Sequence, residues 1–321
     1  MRHRLSLRVI ASVVACAGAT IVCSSCTTSS STEEAPLPPS ISAPPPVPEE
    51  APDTRPGNWR VEHDPSHVSP KRDHCARGEG ITLRTLIVGS SQVYFQNLPR
   101  LLSDLSNSAP TACPRIAAEP FTRDGRNLKQ LWTDGDSEGR DLATVIRNGG
   151  YDVVVIAERI DLVEQATHDD FVTHANLIID AARATRALPV LFATPYPWTD
   201  DHWGFREMAA PQLALGRARN VRVAAGGLAW LRVWNDLPAV DLHHPDREHP
   251  GYKGSIISAM VIWSVIMKAT PIGLTTTPFI DCDAPQPWPT SSCPPLTATE
   301  GDVFQRAAWV ETQATGTVPE Q

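Results

Sequence analysis

The sequence predicts an α/β protein, a three-layer α/β/α sandwich built around a mostly parallel sheet. Short apolar runs alternate with segments of helical periodicity from Leu83 onward, which is the pattern of successive βαβ units. The unbroken β-branched run at Val153–Val155 is typical of a parallel strand that is buried on both faces. Between Gly80 and Ile272 nothing resembles a domain boundary, so we expect one domain there.

The individual elements follow from these patterns in order. The first strand is predicted at Leu83–Val88, and the helix at Asn97–Asn107 has leucines at three- and four-residue spacing. A short strand at Arg115–Ala118 precedes the clear strand at Asp152–Ile156. The helix Asp169–Ala187 is expected to begin with Asp169 and Asp170 near its positive end. The remaining predicted elements are the strand Leu188–Ala193, the helix Phe205–Arg217, the strand Val221–Ala225 and the helix Lys253–Met267.

The N-terminus has the pattern of a bacterial export signal. Arg2, Arg4 and Arg8 precede the apolar stretch Val9–Val22, which is too short to span a bilayer comfortably. The next residues, through Cys26, resemble the processing box of bacterial lipoproteins, in which Cys26 would be acylated. A box at Cys16 and ordinary signal cleavage are the alternatives. We therefore expect residues 1–26 to be a signal peptide and the protein to be extracytoplasmic, attached to the membrane by a lipid.

Composition divides the rest of the chain. Residues 27–60 are rich in Ser, Thr, Pro and Glu and cannot bury enough apolar surface to offset chain entropy, so we expect a disordered linker. Residues 61–321 form the predicted globular domain, including a Pro-rich C-terminal segment. A formal net charge of -8 and the lack of a Lys/Arg-rich run argue against nucleic acid as a partner.

An exported protein meets an oxidising compartment, where the four cysteines after Cys26 are expected to pair. Cys282 and Cys293 would close a short Pro-rich loop, and Cys75 would pair with Cys113 by elimination. A zinc site is the weaker interpretation, because no two of these cysteines have a close ligand spacing. We expect neither a metal nor another cofactor.

Two segments contain the residues that could take part in catalysis. The first strand ends in Gly89-Ser90-Ser91, at the edge of a parallel sheet where sites form, although such a sequence is also common in turns and helix caps. Asp246 and His249 are three residues apart, a spacing that lets the carboxylate orient the imidazole of a general base. A solvated loop and a metal site built from His243, His244, His249 and the neighbouring aspartates are the alternatives.

Together these segments resemble the SGNH/GDSL hydrolases. Leu86 to Ser91 followed by Asn97-Leu98-Pro99 is similar to the family's first block, and Asp246-x-x-His249-Pro250 is similar to its last. The resemblance covers Leu83 to Thr270 and implies a flavodoxin-like sheet. It also implies a serine esterase with Ser91 as nucleophile, His249 as base and Asp246 as orienting carboxylate.

The oxyanion-binding side departs from the family. The resemblance implies backbone N–H donors at Ser91 and at Gly125, which looks like the glycine of the second block. After the Val153–Ile156 strand the family usually has an Asn or Gln side chain, whereas this chain has Glu158 and Arg159. Arg159 could donate in its place, or the two side chains could simply pair with each other.

The substrate is not specified by the sequence. A loop with Trp198 and Trp203 follows a strand and would suit a sugar, so an acetylated carbohydrate or another small ester is expected. The alternatives are a catalytically silent lipoprotein that binds ligands in the same cleft, and an O-acetyltransferase. The sequence leaves the oligomeric state open.

Overall fold

The computed structural model describes residues 79–159, 165–197, 203–278 and 295–315. Five parallel strands form its sheet in the order β2-β1-β3-β4-β5. This is the flavodoxin-like order of doubly wound α/β proteins, so the predicted fold class is confirmed. The strands are β1 (Thr82–Gly89), β2 (Arg115–Thr122), β3 (Val153–Ala157), β4 (Leu188–Phe192) and β5 (Arg222–Ala224).

Helices cover both faces of the sheet. Alternation along each strand sends successive side chains to opposite faces, so Ile87 belongs to one apolar cluster and Leu86 to the other. The cluster with Ile87 includes residues of α2 (Leu98–Asn107), α7 (Gly226–Asp236), α8 (Tyr252–Met267) and α9 (Ala298–Thr315). The cluster with Leu86 includes residues of α3 (Leu128–Asp134), α4 (Leu142–Gly149), α5 (Gln165–Ala184) and α6 (Trp203–Arg219). The short helix α1 (Ser91–Tyr94) directly follows β1.

The structure corrects several predicted boundaries. Helix α5 begins at Gln165, so Asp169 and Asp170 lie in its second turn and not at its positive end. Strand β2 continues beyond Ala118 to Thr122, because it is the edge strand, where Pro120 can be accommodated without breaking the ladder on both sides. The sequence analysis did not predict α1, α3, α4, α7 or α9.

Helix α8 is buried along nearly its whole length. It packs against α2, α7 and α9, so neighbours cover it on several sides, which accounts for its apolar residues all round. Among the described helices, none combines the length and apolarity needed to cross a membrane.

Candidate active site

Ser91 lies at the carboxyl edge of the sheet, where β1 turns into α1. Ser90 is the N-cap residue and Ser91 is the first residue of the helix, with 9% of its surface exposed. A side chain at Gly89 would place its Cβ 2.6 Å from Val93 Cγ2 and 3.1 Å from Ala157 Cβ. The glycine therefore permits the close turn that brings the serine to the edge of the sheet.

Asp246 and His249 lie on a tight hairpin that precedes α8. His243 and Pro250 form an antiparallel bridge, and His244 N–H donates to His249 O at 2.8 Å. Arg247 has a φ of 64°, the left-handed conformation that reverses the chain at the tip. This hairpin, residues 243–250, is called the His-Asp hairpin below.

The carboxylate of Asp246 orients the imidazole of His249. Its Oδ1 accepts from the backbone N–H groups of Glu248 at 2.9 Å and His249 at 3.0 Å. Its Oδ2 lies 2.9 Å from His249 Nδ1 and 2.9 Å from His244 Nδ1. Burial opposes ionisation of this carboxyl, but the hydrogen bonds from His249, Glu248 and His244 outweigh burial, so the pKa of Asp246 lies well below its ordinary value. Asp246 is therefore ionised at neutral pH.

His243 anchors the hairpin to the core. Its ring is buried and packs against Trp230, Trp234 and Phe205, with centroid distances of 5.0, 5.7 and 6.1 Å. Its Nε2 donates to Tyr196 O at 2.9 Å, which links the hairpin to the segment after β4. Across the described part of the chain, no three His, Cys, Asp or Glu side chains gather in a way that could hold a metal ion.

Two contacts attach the His-Asp hairpin to the helix that begins at Ser91. Gln92, next to Ser91, donates from Nε2 to Glu248 O at 3.1 Å. Phe95, one turn after Ser91, stacks on the ring of His249 with a centroid distance of 4.2 Å and an interplanar angle of 7°. The hairpin that contains His249 is thus attached to the helix that begins at Ser91, and among the described residues no hydrogen bond joins the Ser91 hydroxyl to the His249 ring.

Two backbone N–H groups that the sequence analysis proposed as oxyanion donors belong to Ser91 and Gly125. Within the described ranges, neither Ser91 N–H nor Gly125 N–H donates a hydrogen bond. Gly125 has a φ of 62° and lies in the turn that follows β2, the neighbour of β1. The hydroxyl of Tyr94, on the same short helix as Ser91, donates to Asp124 Oδ1 at 2.9 Å. The turn with Gly125 is therefore attached to the helix that begins at Ser91.

Glu158 and Arg159 follow β3 and contact the same turn. Glu158 is 3% exposed, and its Oε1 accepts from Leu128 N–H at 3.1 Å and Arg159 N–H at 2.6 Å. The guanidinium of Arg159 donates from Nη1 to Gly125 O at 2.7 Å. Arg159 therefore lies beside Gly125, with a donor directed to the carbonyl of that glycine.

Several predicted site residues lie outside the described residues, namely Trp198, Cys26, Cys75, Cys282 and Cys293. Trp203 begins α6, but its side chain is not described. Cys113 is buried at the end of the segment between α2 and β2. The disulfide connectivity and the aromatic wall stay predictions.

Phe95, Gln92 and the pairing of His244 with Asp246 were missed by sequence reasoning. Phe95 is four residues after Ser91, the spacing that puts two side chains on the same face of a helix. That spacing would have indicated Phe95 only if α1 had been predicted. His244 was considered only as a metal ligand.

Comparison with solved structures finds similar folds. A DUF4886 family protein from Bacteroides uniformis has a TM-score of 0.52 and 11% identity, over 74% of this chain and 97% of that chain. A provisionally assigned SGNH hydrolase from Slackia heliotrinireducens has a TM-score of 0.43 and 20% identity, over 57% and 98% of the two chains. A catalytic mutant of an acetylxylan esterase from Geobacillus stearothermophilus has a TM-score of 0.41 and 13% identity, over 62% and 96%. No family model and no curated protein matches the sequence.

Proposed function

We propose that this chain is a serine ester hydrolase in which Ser91, His249 and Asp246 form the catalytic triad. The observation that supports the proposal is the Asp246–His249 pair, 2.9 Å apart, on a hairpin that Gln92 and Phe95 attach to the helix that begins at Ser91. An ionised carboxylate on Nδ1 leaves Nε2 of the neutral ring as the proton acceptor, which is the tautomer that a general base needs.

The reaction proceeds in two acyl-transfer steps. His249 Nε2 takes the proton of Ser91 as Oγ attacks the ester carbonyl, and the imidazolium is stabilised by Asp246. The N–H groups of Ser91 and Gly125 bind the oxyanion that develops on the carbonyl oxygen. His249 then gives its proton to the departing alcohol. In the second step water attacks the acyl-Ser91 ester as His249 takes a proton from it, and His249 then returns that proton to Ser91 Oγ as the ester bond breaks and the acid is released.

We expect the substrate to be a small ester or an acylated glycan. The support is the aromatic composition of the segment after β4, with Trp198 and Trp203, which would suit the flat face of a sugar ring. Activity on acetylated oligosaccharides, compared with esters of long-chain fatty acids, tests this expectation. A strong preference for the long-chain esters would contradict it.

The decisive experiment measures p-nitrophenyl acetate turnover and fluorophosphonate labelling of the full chain. Ser91→Ala and His249→Ala should each abolish turnover above the residual level, and Ser91→Ala should abolish labelling. Ser90→Ala is the matched control: the hydroxyl of Ser90 is buried and makes no hydrogen bond with the described residues, so activity should persist. Wild-type protein that neither turns over the ester nor takes the label would favour the silent ligand-binding alternative.

Transfer and hydrolysis share the same acyl-enzyme, so product analysis separates them. An acetyl donor and a glycan acceptor should yield free acetate if the chain is a hydrolase. Acetylated glycan as the main product would instead identify an O-acetyltransferase.

We also propose that the protein acts outside the cytoplasm as a lipoprotein acylated at Cys26. The support is the basic and apolar pattern of residues 1–26. Mass spectrometry of the processed chain should find an N-terminal, lipid-modified Cys26. A processed chain that begins at another residue and has no lipid would refute the anchor.

A further inference from the structure

The segment after β3 makes two contacts with the turn after β2. Glu158 accepts from Leu128 N–H, which is the first N–H of α3, and Arg159 donates to Gly125 O at 2.7 Å. Both contacts reach backbone atoms and not side chains of the turn. The two residues therefore constrain the path of the main chain from Gly125 to Leu128.

We propose that Glu158 and Arg159 are positioning residues that hold Gly125 N–H in the direction needed to bind the oxyanion. This inference rests on the proposed hydrolase function. This chain has no side-chain amide directly after β3 that could donate to the oxyanion. The fixed N–H of Gly125 would take over that function, so the oxyanion site would depend on main-chain N–H groups.

Gly125 is the residue whose orientation most requires an external constraint. Glycine has the widest range of backbone conformations, and a φ of 62° is one that other residues seldom adopt. On its N-terminal side, Asp124 is held by the Tyr94 hydroxyl at 2.9 Å. On its C-terminal side, its carbonyl is held by Arg159. The N–H of Gly125 lies between these two attachments, so both of them limit its rotation.

Burial makes Glu158 an effective attachment. A carboxylate that is 3% exposed has lost most of its hydration, and its bonds to Leu128 N–H and Arg159 N–H replace part of that loss. The start of α3 is also fixed by a reciprocal capping box between Asn127 and Gln130. The helix start can therefore transmit the constraint from β3 to the turn.

The direct alternative is that Arg159 itself binds the oxyanion with its guanidinium. In that case Glu158 would affect turnover only through stability, and the motion of Gly125 would not depend on Arg159. The two models therefore differ in a property of Gly125 that can be measured without any substrate.

The test combines kinetics with the backbone order parameter of Gly125, measured by ¹⁵N relaxation on the full chain. Arg159→Ala should lower kcat for p-nitrophenyl acetate about 10- to 100-fold and change KM less than about twofold. A misplaced donor loses part or all of the rate enhancement that a correctly placed oxyanion donor provides. The order parameter of Gly125 should fall from a rigid value of about 0.85 towards about 0.6. Glu158→Ala should behave similarly, and Glu158→Gln, which keeps an acceptor oxygen, should stay within about threefold of wild type. Lys129→Ala is the matched control, because Lys129 lies on α3 but pairs with Asp170.

The double variant Glu158→Ala/Arg159→Ala gives a further criterion. If both residues act through Gly125, the double variant should lose little more kcat than either single variant. Each single substitution would already free the turn with Gly125, so the second substitution has little left to disturb. Fully additive losses would overturn the proposal. Should Glu158→Ala fail to fold, Arg159→Ala, whose side chain is partly exposed, still decides the question.

Two results with Arg159→Ala would overturn the proposal. One is a lower kcat with an unchanged order parameter of Gly125, which identifies direct oxyanion binding by the guanidinium. The other is no change in either quantity. If the wild-type chain shows no turnover and Ser91 takes no label, the hydrolase proposal fails separately, and the order parameter alone decides whether Arg159 restrains Gly125.

Discussion

Asp246→Asn is the substitution that tests the triad most directly. The amide oxygen of the new side chain can take the place of Oδ1 and still accept from the backbone N–H groups of Glu248 and His249. The amide nitrogen then occupies the place of Oδ2, 2.9 Å from His249 Nδ1. Because this nitrogen only donates, Nδ1 must be unprotonated and the ring proton moves to Nε2. That tautomer cannot accept the proton of Ser91.

The expected loss follows from this tautomer change. An Asp-to-Asn change in a Ser-His-Asp triad lowers kcat by about 10⁴, and residual acyl transfer sets a floor, so we expect about 10³- to 10⁴-fold here. At 1.36 kcal/mol for each factor of ten, this is about 4 to 5.5 kcal/mol of transition-state stabilisation. The fold should persist, because the hydrogen bonds that shape the His-Asp hairpin keep an acceptor.

The assay is p-nitrophenyl acetate turnover at neutral pH, with circular dichroism to verify folding. Asp241→Asn is the matched control, because it removes the same charge just before the His-Asp hairpin. Among the described residues, Asp241 Oδ1 accepts a hydrogen bond from His243 N–H at 3.2 Å. We expect this control to stay within about twofold of wild type, as for an exposed surface charge. A folded Asp246→Asn protein with more than a tenth of wild-type kcat would refute the triad assignment.

Three further predictions concern the Asp246 carboxylate, the ring of Phe95 and a buried ion pair between α7 and α9. Because the folded-state pKa of Asp246 is lowered, the ionised carboxylate contributes fully to the free energy of unfolding above the unfolded-state pKa of about 3.9, and this contribution is lost as the pH falls through the folded-state pKa. The free energies of urea unfolding of wild type and Asp246→Asn should therefore converge on acidification, and a difference that stays constant with pH would contradict this. Phe95→Leu removes the ring that stacks on His249, an aromatic contact that contributes about 0.5–1.5 kcal/mol, so kcat should fall about two- to tenfold at constant KM. An unchanged kcat would mean that the Phe95 ring does not hold the imidazole in place. Arg232 pairs with Glu311, and burial raises the pKa of that glutamate, so Arg232→Met should lower the free energy of unfolding by about 3–5 kcal/mol. The double variant Arg232→Met/Glu311→Leu should recover most of this loss, and equal losses in the two variants would contradict the pairing.

The central strands could be predicted because burial on both faces leaves an unbroken apolar signal. Val153, Val154 and Val155 are all buried, and they fill both apolar clusters of the sheet. Edge strand β2 lacks that signal, since Glu119 and Pro120 interrupt it, so only its first half was predicted. Helix α7 begins with Gly226 and Gly227, two poor helix formers, and tertiary packing overrides that preference.

The candidate site divides in the same way into local and tertiary parts. The relation between Asp246 and His249 is local, because a three-residue hairpin spacing determines it. The contacts of Gln92 with Glu248 O, and of Phe95 with His249, join residues more than 150 positions apart in the sequence. No spacing pattern encodes such a contact. The resemblance could therefore name Ser91 and His249, but the contacts of Gln92 and Phe95 that join their two segments are visible only in the fold.

The rigidity of the His-Asp hairpin depends on the core beneath it. Loops are usually the mobile part of a fold, whereas a catalytic base must be held to within about 0.5 Å of its working position. Here Leu242 and His243 are buried, and the carbonyl of Leu242 rests on Gly254, where a Cβ would lie 2.2 Å from that oxygen and 2.2 Å from Trp230 Cζ2. The hairpin can approach α8 this closely only because Gly254 has no side chain. The position of the hairpin therefore depends on packing between α7 and α8, and if His249 is the base of the proposed triad, changes in that packing should alter kcat without contact with the substrate.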